Sequence, residues 1–557
     1  MKKHYETHVE DTDKLISVAG PVLDYKSWYE QYRKLMEEQA QRKYGLYTPT
    51  SEGDDDFPSI PGMIARYSAS GLTNEQMKEN PVWVDKTGNG HDLQLKNFSW
   101  KGMSGVGGYG DENHQTFYKF TLDDYVFIAS PPGAKHMNFT FRVTGLQPGN
   151  KLTLAFFGTT NTVYGTWNKD GIYTVDADIV EAGKPTYFYN GYGATRGEFT
   201  IEILPLYPGA LVFDGVDDYG TCDNFPILTK EKGYTVVALR QYLVEKSTAY
   251  LTANGDSISN TSFIFEGNNY KDTWNFGRAT TIQASRILAT QTSKQYDGVK
   301  LNIGTNTEGS NLLQVGKWSK SYSNVAIWEL VFLDHDATEE ELTKIKDYFV
   351  KTYPWLFPDQ AWTVTGKTNE DENRATIANI TGNGNDLVLS NFGFIEGSGY
   401  NKEGEYAGYL VTDGVDDAIY SSNFSMPDHW TVVGEWKMLK NSNTYELAGI
   451  NKYDSFILYN YSYNNRIAVY IRSGKGTAIN TDSIKAFTST GLLYIDDFNV
   501  KEVTTADKID LGHLLFIGYN NNVFTKLAFK NLAIYPTVLS KDDCIKAYNY
   551  LQTLKAK

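Results

Sequence analysis

The chain is poor in the residues that build reactive centres. It contains only 2 Cys and 8 His among 557 residues, and no His or Cys spacing typical of a metal site. Cys222 and Cys544 fall in the two different halves of a duplicated chain, described below, so no disulfide between them is expected. Both are predicted to be buried free thiols. No strand pattern places alternating carboxylates on one face, as a retaining glucanase requires. The sequence therefore predicts that the protein is not an enzyme and requires no cofactor.

Positive charge and long apolar runs are also scarce. The 52 Lys and Arg are outnumbered by 67 Asp and Glu, which gives a net charge of −15 and a pI near 5.1. A nucleic-acid partner needs a basic face, so none is expected. No run reaches the ~18 apolar residues of a membrane span, so no membrane insertion is expected. Met1 to Asp13 is charged and lacks the apolar core of a secretory signal, which favours synthesis without export unless a signal has been removed.

Two stretches of the chain are near-copies of each other. Residues 211–218 read LVFDGVDD, and residues 410–417 read LVTDGVDD. Residues 87–93, TGNGHDL, recur as TGNGNDL at 381–387, and an Asn-Phe pair follows both. A repeat of this length is the size of a domain. The chain is therefore predicted to carry two copies of one module.

The first copy is longer than the second. Between the two repeated landmarks it holds about 95 additional residues, which is the length of a small domain. Their short alternating strands and turn residues predict a β-sandwich inserted into an exposed loop. The predicted organisation is an N-terminal arm with an acidic linker (1–58), a first module (59–110 plus 208–355), an insert (111–207) and a second module (356–557).

The modules have an all-β pattern. Gly, Asn and Asp interrupt runs rich in Tyr, Phe, Val, Ile and Thr, and only the closing segment of each copy has a helical pattern. The Gly-Asn-Gly turn, the Phe-Asp-Gly-Val-Asp-Asp-Tyr strand end and the acidic closing helix resemble the laminin-G-like group of concanavalin A-type jelly rolls. The resemblance implies tandem sandwiches of two antiparallel sheets, a common platform for sugar binding. The longer motif, Thr-Asn-Glu followed by Thr-Gly-Asn-Gly-x-Asp-Leu-x-Leu-x-Asn-Phe, resembles proteins of gut Bacteroides and of their bacteriophages, including crAss-like phages.

The N-terminal arm suggests assembly. Residues 27–44 predict a helix with one apolar stripe, formed by Trp28, Tyr32, Leu35, Met36 and Gln39. Such a stripe must be buried, either against the first module or in an interface. In the second case the helix oligomerises the chain or docks it on a capsid or tail. A fibre built this way would be a homo-oligomer, commonly a trimer.

Two kinds of site are candidates. Sugar binding needs aromatic faces with amides beside them. The strings that fit are Tyr164, Trp167 and Tyr173 in the insert, Asn268, Asn269, Tyr270 and Trp274 in the first module, and Tyr459, Tyr461, Tyr463, Asn464 and Asn465 in the second. Modules that resemble this family often hold calcium, which needs clustered oxygen ligands. The candidates are Asp85, Asn89 and Asp92, with Asn383 and Asp386 in the second copy, although the same residues can simply stabilise their own turns.

The leading hypothesis is a phage virion protein, a head or tail fibre or decoration protein. It would be made in the host cytoplasm, carried on the virion surface, joined to other virion proteins through the arm, and attached to host or mucosal glycans. A bacterial surface or secreted glycan-binding adhesin is the second hypothesis. A glycan-degrading enzyme with an unrecognised site is the third, because Asp170, Asp176 and Asp178 leave the insert open to catalysis.

Overall fold

In the computed structural model the chain divides into two compact units, Met1–Asp56 and Phe57–Lys557. The predicted assembly helix, with Trp28, Tyr32, Leu35, Met36 and Gln39, lies outside the residues that the structure describes. The described residues are 56–109, 118–120, 125–128, 136–156, 161–180, 186–190, 199–229, 232–243, 251–256, 261–265, 288–292, 309–403, 406–422, 427, 429–439, 445–450, 456–461, 466–471, 477–479, 484–489, 492–495, 499–502, 514–517, 519–520 and 523–556.

The first module begins before the insert. Its early strands alternate where one face meets solvent, as in Leu93–Lys96, whose residues are buried and exposed in turn. The elements of this part are β1 (Met63–Ser68), α1 (Asn74–Glu79), β2 (Val82–Trp83), β3 (Leu93–Lys96) and β4 (Gly105–Val106).

The insert follows as two facing sheets. One sheet has the strand order β10-β7-β12-β5 and the other β6-β11-β8-β9. Inward side chains such as Phe139, Phe141 and Phe188 fill the space between them. The strands are β5 (Tyr118–Phe120), β6 (Tyr125–Ile128), β7 (His136–Thr144), β8 (Leu152–Phe156), β9 (Thr162–Trp167), β10 (Gly171–Asp178), β11 (Thr186–Asn190) and β12 (Phe199–Leu204).

The chain then returns to the first module and closes it with a helix. Thr338 caps that helix with a capping box to Glu341, as its Thr-x-x-Glu sequence favours. The elements are β13 (Leu211–Asp214), β14 (Tyr219–Cys222), β15 (Thr235–Tyr242), β16 (Thr252–Asn254), β17 (Ile264–Phe265), β18 (Leu288–Thr292), β19 (Leu313–Val315), β20 (Lys317–Trp318), β21 (Ser321–Tyr322), β22 (Asn324–Leu333), α2 (Glu339–Thr352) and a 3-10 turn (Pro354–Leu356).

The second module repeats this plan without an insert, and Ser540 caps its closing helix. Its elements are β23 (Gln360–Thr363), β24 (Thr376–Ile377), β25 (Leu387–Ser390), β26 (Gly399–Tyr400), β27 (Leu410–Val411), β28 (Ala418–Ser422), β29 (Thr431–Met438), β30 (Tyr445–Ile450), β31 (Phe456–Tyr461), β32 (Arg466–Ile471), β33 (Thr477–Ile479), β34 (Ile484–Thr488), β35 (Leu492–Ile495), β36 (Asn499–Glu502), β37 (Leu514–Ile517), β38 (Tyr519–Asn520), β39 (Val523–Phe524), β40 (Leu527–Tyr535) and α3 (Lys541–Leu551).

Both modules have the same antiparallel topology. We call the sheet that carries the closing strand the back sheet and its partner the front sheet. The back sheet runs β18-β15-β22-β13-β4 in the first module, and β34-β29-β40-β27-β26 repeats that order in the second. The front sheet runs β17-β16-β19-β14-β3-β2 in the first module, and β31-β30-β37-β28-β25-β24 repeats that order in the second. In the second module β32 and β33 extend the front sheet beyond β31, and β35 and β36 extend the back sheet beyond β34. A β-bulge also recurs in the closing strand: Trp328 is the extra residue of β22 opposite Leu239 and Arg240, and Lys530 is the extra residue of β40 opposite Glu435 and Trp436. The predicted all-β fold, with tandem sandwiches and an inserted smaller one, is confirmed, whereas the predicted domain limits stay a prediction.

The two modules and the insert share one apolar core behind the back sheets. This shared core joins Trp328 of β22, Tyr535 of β40 and Ile172 of the insert to the helices α2 and α3. Because β22 and β40 are covered on both faces, almost every residue in them is buried. The modules are therefore packed together and not strung on a linker. Cys222 and Cys544 are both free and buried, as predicted.

The insert leaves and rejoins the first module through a short stem. The N–H of Leu206 donates to the carbonyl of Gly108 at 2.8 Å, and the N–H of Tyr207 donates to that of Gly107 at 2.8 Å. The two connections are therefore hydrogen-bonded to each other. None of the helices within the described ranges combines the length and apolarity needed to cross a membrane.

Candidate functional site

Two groups of side chains are candidates for function, and the first is an acidic turn that occurs in both modules. Asp214 ends β13 and Asp217 and Asp218 follow it, and one carboxylate oxygen of each lies within 4.8 Å of the others. Asp413, Asp416 and Asp417 form the same group after β27. The sequence had suggested a structural turn here, and it gave no sign that three carboxylates converge.

Hydrogen bonds explain the shape of the turn. In the first module Asp214 Oδ1 accepts from the N–H of Val216 at 2.7 Å, and Asp218 Oδ2 accepts from the N–H of Asp214 at 3.0 Å. The hydroxyl of Ser104 donates to Asp218 Oδ1 at 3.0 Å and so joins the turn to the loop before β4. Ser398 makes the same 3.0 Å bond to Asp417 in the second module. The acidic turn is thus a folding element as well as a cluster of charge.

Burial changes the acidity of one carboxylate in each turn, Asp218 and Asp417. Burial, reinforced by the neighbouring charge of Asp214, raises the pKa of Asp218 to about 7. Burial also raises the pKa of Asp417 to about 6. A divalent cation would relieve the repulsion, and carboxylate oxygens are the ligands that calcium prefers. Each acidic turn could therefore hold such an ion.

The calcium ligands predicted in the first module occupy a different turn. Asp85 and Asp92 are close, because the N–H of Asp85 donates to Asp92 Oδ1 at 2.8 Å. Asp85 Oδ1 also accepts from the N–H groups of Arg66 and Thr87, at 3.1 and 3.0 Å. The amide of Asn89 instead donates to the carbonyl of Ile64 at 2.9 Å. These contacts stabilise the turn, and calcium at this position stays a prediction.

The second copy makes the same contacts with an amide. Asn379 replaces Asp85, and its Oδ1 accepts from the N–H of Thr381 at 3.1 Å. Its own N–H donates to Asp386 Oδ1 at 2.8 Å, and Asn383 donates to the carbonyl of Asp359 at 2.8 Å. Since an amide satisfies the turn as well as a carboxylate does, hydrogen bonding alone accounts for these residues.

The second group is an aromatic pair in the insert. Trp167 ends β9 and Tyr173 lies in β10, and their ring centroids are 5.6 Å apart with planes tilted by 36°. Both rings are half-buried and pack on Phe141 of the core, at 4.9 and 5.8 Å between centroids. The structure therefore brings together two of the three aromatic residues predicted for sugar binding in the insert.

Two glycines make room for this aromatic pair. A Cβ at Gly165 would lie 2.6 Å from the indole of Trp167, and a Cβ at Gly171 would lie 2.7 Å from the phenol of Tyr173. Neither glycine has the positive φ that would itself favour glycine. Glycine is therefore needed at both positions because the two rings occupy the space that a side chain would fill.

The turn between β9 and β10 is firmly held. The carboxylate of Asp170 accepts from the N–H groups of Gly145 and Leu146 at 2.9 and 2.8 Å. The hydroxyl of Tyr173 donates to the carbonyl of Lys169 at 2.8 Å. These bonds fix the loop beside the aromatic pair, and they give Asp170 a structural role.

Tyr164, the third predicted residue, lies at a β-bulge of β9. Leu154 faces Gly165 and Ala155 faces Val163, so Tyr164 has no partner across the ladder. Its hydroxyl accepts from the N–H of Val180 at 3.2 Å. Tyr459 and Tyr461 belong to β31. Outside the described residues lie the predicted Asn268, Asn269, Tyr270, Trp274, Tyr463, Asn464 and Asn465.

The carboxylate of Asp176 in β10 faces the second module, on the opposite face of the strand from Tyr173, whereas that of Asp178 is exposed to solvent. Asp176 Oδ1 lies 2.6 Å from His136 Nε2, and Asp178 Oδ1 lies 2.8 Å from His136 Nδ1. Asp176 Oδ2 lies 3.7 Å from the ammonium of Lys530 in β40. Beside Lys530, the buried Glu435 accepts from the hydroxyls of Tyr409 and Tyr548. This polar network joins the insert to the second module.

The sequence matches no family model and no curated protein. Among solved structures it resembles a Trypanosoma rangeli sialidase mutant with trans-sialidase activity, at 11% identity and a TM-score of 0.27 over 44% of each chain. It also resembles the botulinum neurotoxin serotype D binding domain, at 15% identity and 0.26 over 34% of this chain and 51% of that one. A third is botulinum neurotoxin type C, whose cell entry depends on two ganglioside molecules, at 13% and 0.26 over 36% and 53%.

The chain spans only about half the length of these structures or less. At such TM-scores the similarities say nothing about what this chain binds. They do correct one prediction. The sequence predicted that the protein is not an enzyme, yet the matched structures include sialidases, which are enzymes. The exclusion of catalysis was therefore wrong, because it assumed that an active site must show a familiar carboxylate pattern.

Proposed function

We propose that this chain is a structural protein of a bacteriophage particle, a head or tail fibre or decoration protein, that attaches to glycans of the host surface or of mucus. Glycan binding is supported chiefly by the Trp167–Tyr173 pair at the margin of the insert. A pyranose places its C–H face on an aromatic ring while its hydroxyls find polar partners. Half-buried rings beside a firmly held turn offer that chemistry, and little side-chain entropy is lost when a sugar binds.

Binding can be tested with the full chain on a panel of polysaccharides, by affinity electrophoresis and calorimetry. We expect Trp167→Ala to weaken binding about tenfold, because one stacked ring is lost. The matched control is Tyr322→Ala, which removes one ring of another half-buried pair, Tyr219 and Tyr322, whose centroids are 6.1 Å apart in the first module. Equal loss in both variants, or no binding by the unmodified chain, would contradict glycan binding through the insert. Product release, measured in the same samples, reports any turnover.

The virion role is supported by the resemblance to phage proteins and by the rigid, duplicated sandwiches. Mass spectrometry of purified particles tests it directly. We expect the protein at a stoichiometry that matches a regular structural component. Its absence from particles, together with its presence in a bacterial envelope fraction, would favour a bacterial adhesin.

We also propose that the arm joins the chain to other virion proteins or to further copies of itself, with a trimer as the expected form. Light scattering on the full chain and on a variant lacking residues 1–58 tests this proposal. A fall to the monomer mass assigns oligomerisation to the arm. An unchanged mass leaves docking as its role. Calcium at Asp85, Asn89 and Asp92, and at Asn383 and Asp386 in the second copy, is a further proposal. Thermal unfolding with calcium or with a chelator tests it, and an unchanged unfolding temperature would contradict it.

A further inference from the structure

We infer that the Trp167–Tyr173 pair binds an internal segment of an uncharged glycan chain, with neighbouring sugar units on the two rings. This inference rests on the proposed glycan binding and makes its ligand specific. It depends on where the rings lie, how they are tilted and which charges surround them.

The rings lie at an open margin of the insert. Among the described strands, β9 ends one sheet and β10 ends the facing sheet. An edge strand keeps backbone N–H and C=O groups that no ladder uses, and these groups can bond sugar hydroxyls. A site along an edge lets a chain continue past it in both directions. That geometry favours an internal segment over a terminal sugar held in a pocket.

The relative position of the rings favours a single chain. Their centroids are 5.6 Å apart, so neighbouring sugar units can each contact one ring. Their planes are tilted by 36°, so the two faces do not form a flat platform. A twisted soluble chain fits such a surface, whereas the flat face of a crystalline polysaccharide needs coplanar rings.

The charges favour a neutral ligand. The carboxylate of the adjoining turn, that of Asp170, already accepts two backbone N–H groups. Lys169 is the cation of the adjoining turn, and the chain as a whole carries a net charge of −15. An anionic polysaccharide would be repelled by this field at low ionic strength.

The strand that carries Tyr173, β10, is packed against the rest of the protein on its opposite face. Ile172 is fully buried in the shared core, on the opposite face of β10 from Tyr173. The carboxylate of Asp176 lies 3.7 Å from the ammonium of Lys530 in the second module. The aromatic pair is thus positioned before any ligand binds, which reduces the entropy lost on binding.

The test is calorimetry of the full chain with neutral and anionic probes. The neutral probes are soluble starch, xylan, galactomannan and β-1,3-glucan, followed by oligosaccharides of one to six units from each polysaccharide that binds. The anionic probes are alginate and polygalacturonate. We expect affinity to rise about tenfold from one unit to three and then level off, with alginate and polygalacturonate at least tenfold weaker than the best neutral polymer.

Variants identify the rings. Trp167→Ala and Tyr173→Ala should each remove most of the gain between one and three units. Trp167→Phe, which keeps a smaller ring, should retain part of that gain. It provides the measurement if the alanine variant fails to fold. Equal affinity for one and three units, or tighter binding of alginate, would overturn the inference while leaving glycan binding intact. Absence of binding to every probe would overturn both.

Discussion

At the residue scale, the tripeptide Thr-Asn-Glu occurs in both modules, at 73–75 and at 368–370, and its asparagine makes the same contacts in each. The side chain of Asn74 donates to the carbonyl of Val106 at 3.1 Å and accepts from the N–H of Val106 at 2.8 Å. Asn369 makes the same two bonds with Tyr400, at 3.0 and 2.8 Å. An amide side chain therefore pairs with the backbone as a neighbouring strand would. The amide suits this position because its oxygen and its NH2 group are separate atoms, so one accepts from the backbone N–H while the other donates to the carbonyl.

We expect Asn369→Ala to lower the free energy of unfolding by about 2 kcal/mol, since it leaves two backbone groups without partners. Asn74→Ala should have a similar effect on the first module. Chemical unfolding followed by tryptophan fluorescence measures both. Asn311→Ala, at an exposed position, is the control. A loss no larger than that of the control would show that water replaces the amide.

The acidic turn makes stability depend on pH. Burial raises the pKa of Asp218 to about 7 in the folded protein, well above the ordinary value of about 4, so between these pH values the folded state holds a proton that the unfolded state has released. Stability should therefore fall as pH rises from about 4 to about 7. Asp214→Asn should lower the pKa of Asp218, because it removes a neighbouring charge. Carboxyl titration by NMR checks this, with Asp347→Asn on the exposed face of α2 as the control.

These residues also show what a sequence can and cannot predict. The positions of β7, β8 and β12 follow from their alternating apolar residues, and the helix caps Thr338 and Ser540 follow from residue type. The convergence of three carboxylates was missed, because repeated turn residues look the same whether they serve hydrogen bonding or charge. The contact of Trp167 with Tyr173 was also beyond prediction, since it depends on two facing sheets.

At the element scale, β10 has a different role on each face. Its inward face carries Tyr173, and its outward face carries Thr174 and Asp176 toward the second module. The hydrogen bond between His136 of β7 and Asp176 raises the pKa of His136 to about 9. Burial opposes this rise, and a second hydrogen bond, to Asp178, adds to it. The pairing of β7 with β10 is therefore stabilised while His136 is protonated, and this contribution is lost as pH rises through about 9.

We expect Asp176→Asn to loosen the insert from the second module, because Lys530 is buried and loses its partner in the insert. Amide hydrogen exchange should increase in β7 and β10 but not in β8. Glu202→Gln is the matched control, since Glu202 pairs with Arg142 within the insert at 3.0 Å. Unchanged exchange in β10 would assign the contact to apolar packing alone.

At the scale of the whole molecule, the shared core couples the two modules. Closing helix α3 touches both modules, because Gln241 of β15 donates to Thr553 at 3.3 Å, just beyond the end of the helix. Tyr535 of β40 donates to the carbonyl of Trp355 at 3.0 Å. The sequence suggested a row of separate sandwiches. It could not show this packing, because buried strands look alike whichever element covers them.

We therefore expect Leu551→Ala to destabilise both modules. Leu551 is fully buried in the shared core, and such a truncation costs about 2–5 kcal/mol. Amide exchange should rise in β1 and in β23 alike. Leu387→Ala, in the inner core of the second module, should raise exchange chiefly there. A response to Leu551→Ala confined to the second module would contradict the coupling.

The hydrogen-bonded stem at Gly107 and Gly108 has an evolutionary consequence. Because the two connections meet side by side, a different sandwich could replace residues 111–207 without disturbing the strands that flank it. The replacement would not be unconstrained, because Lys530 and Glu435 would still need something to cover them. Relatives that exchange this part of the chain should therefore vary in the inserted sandwich but keep an acidic side chain where it meets Lys530.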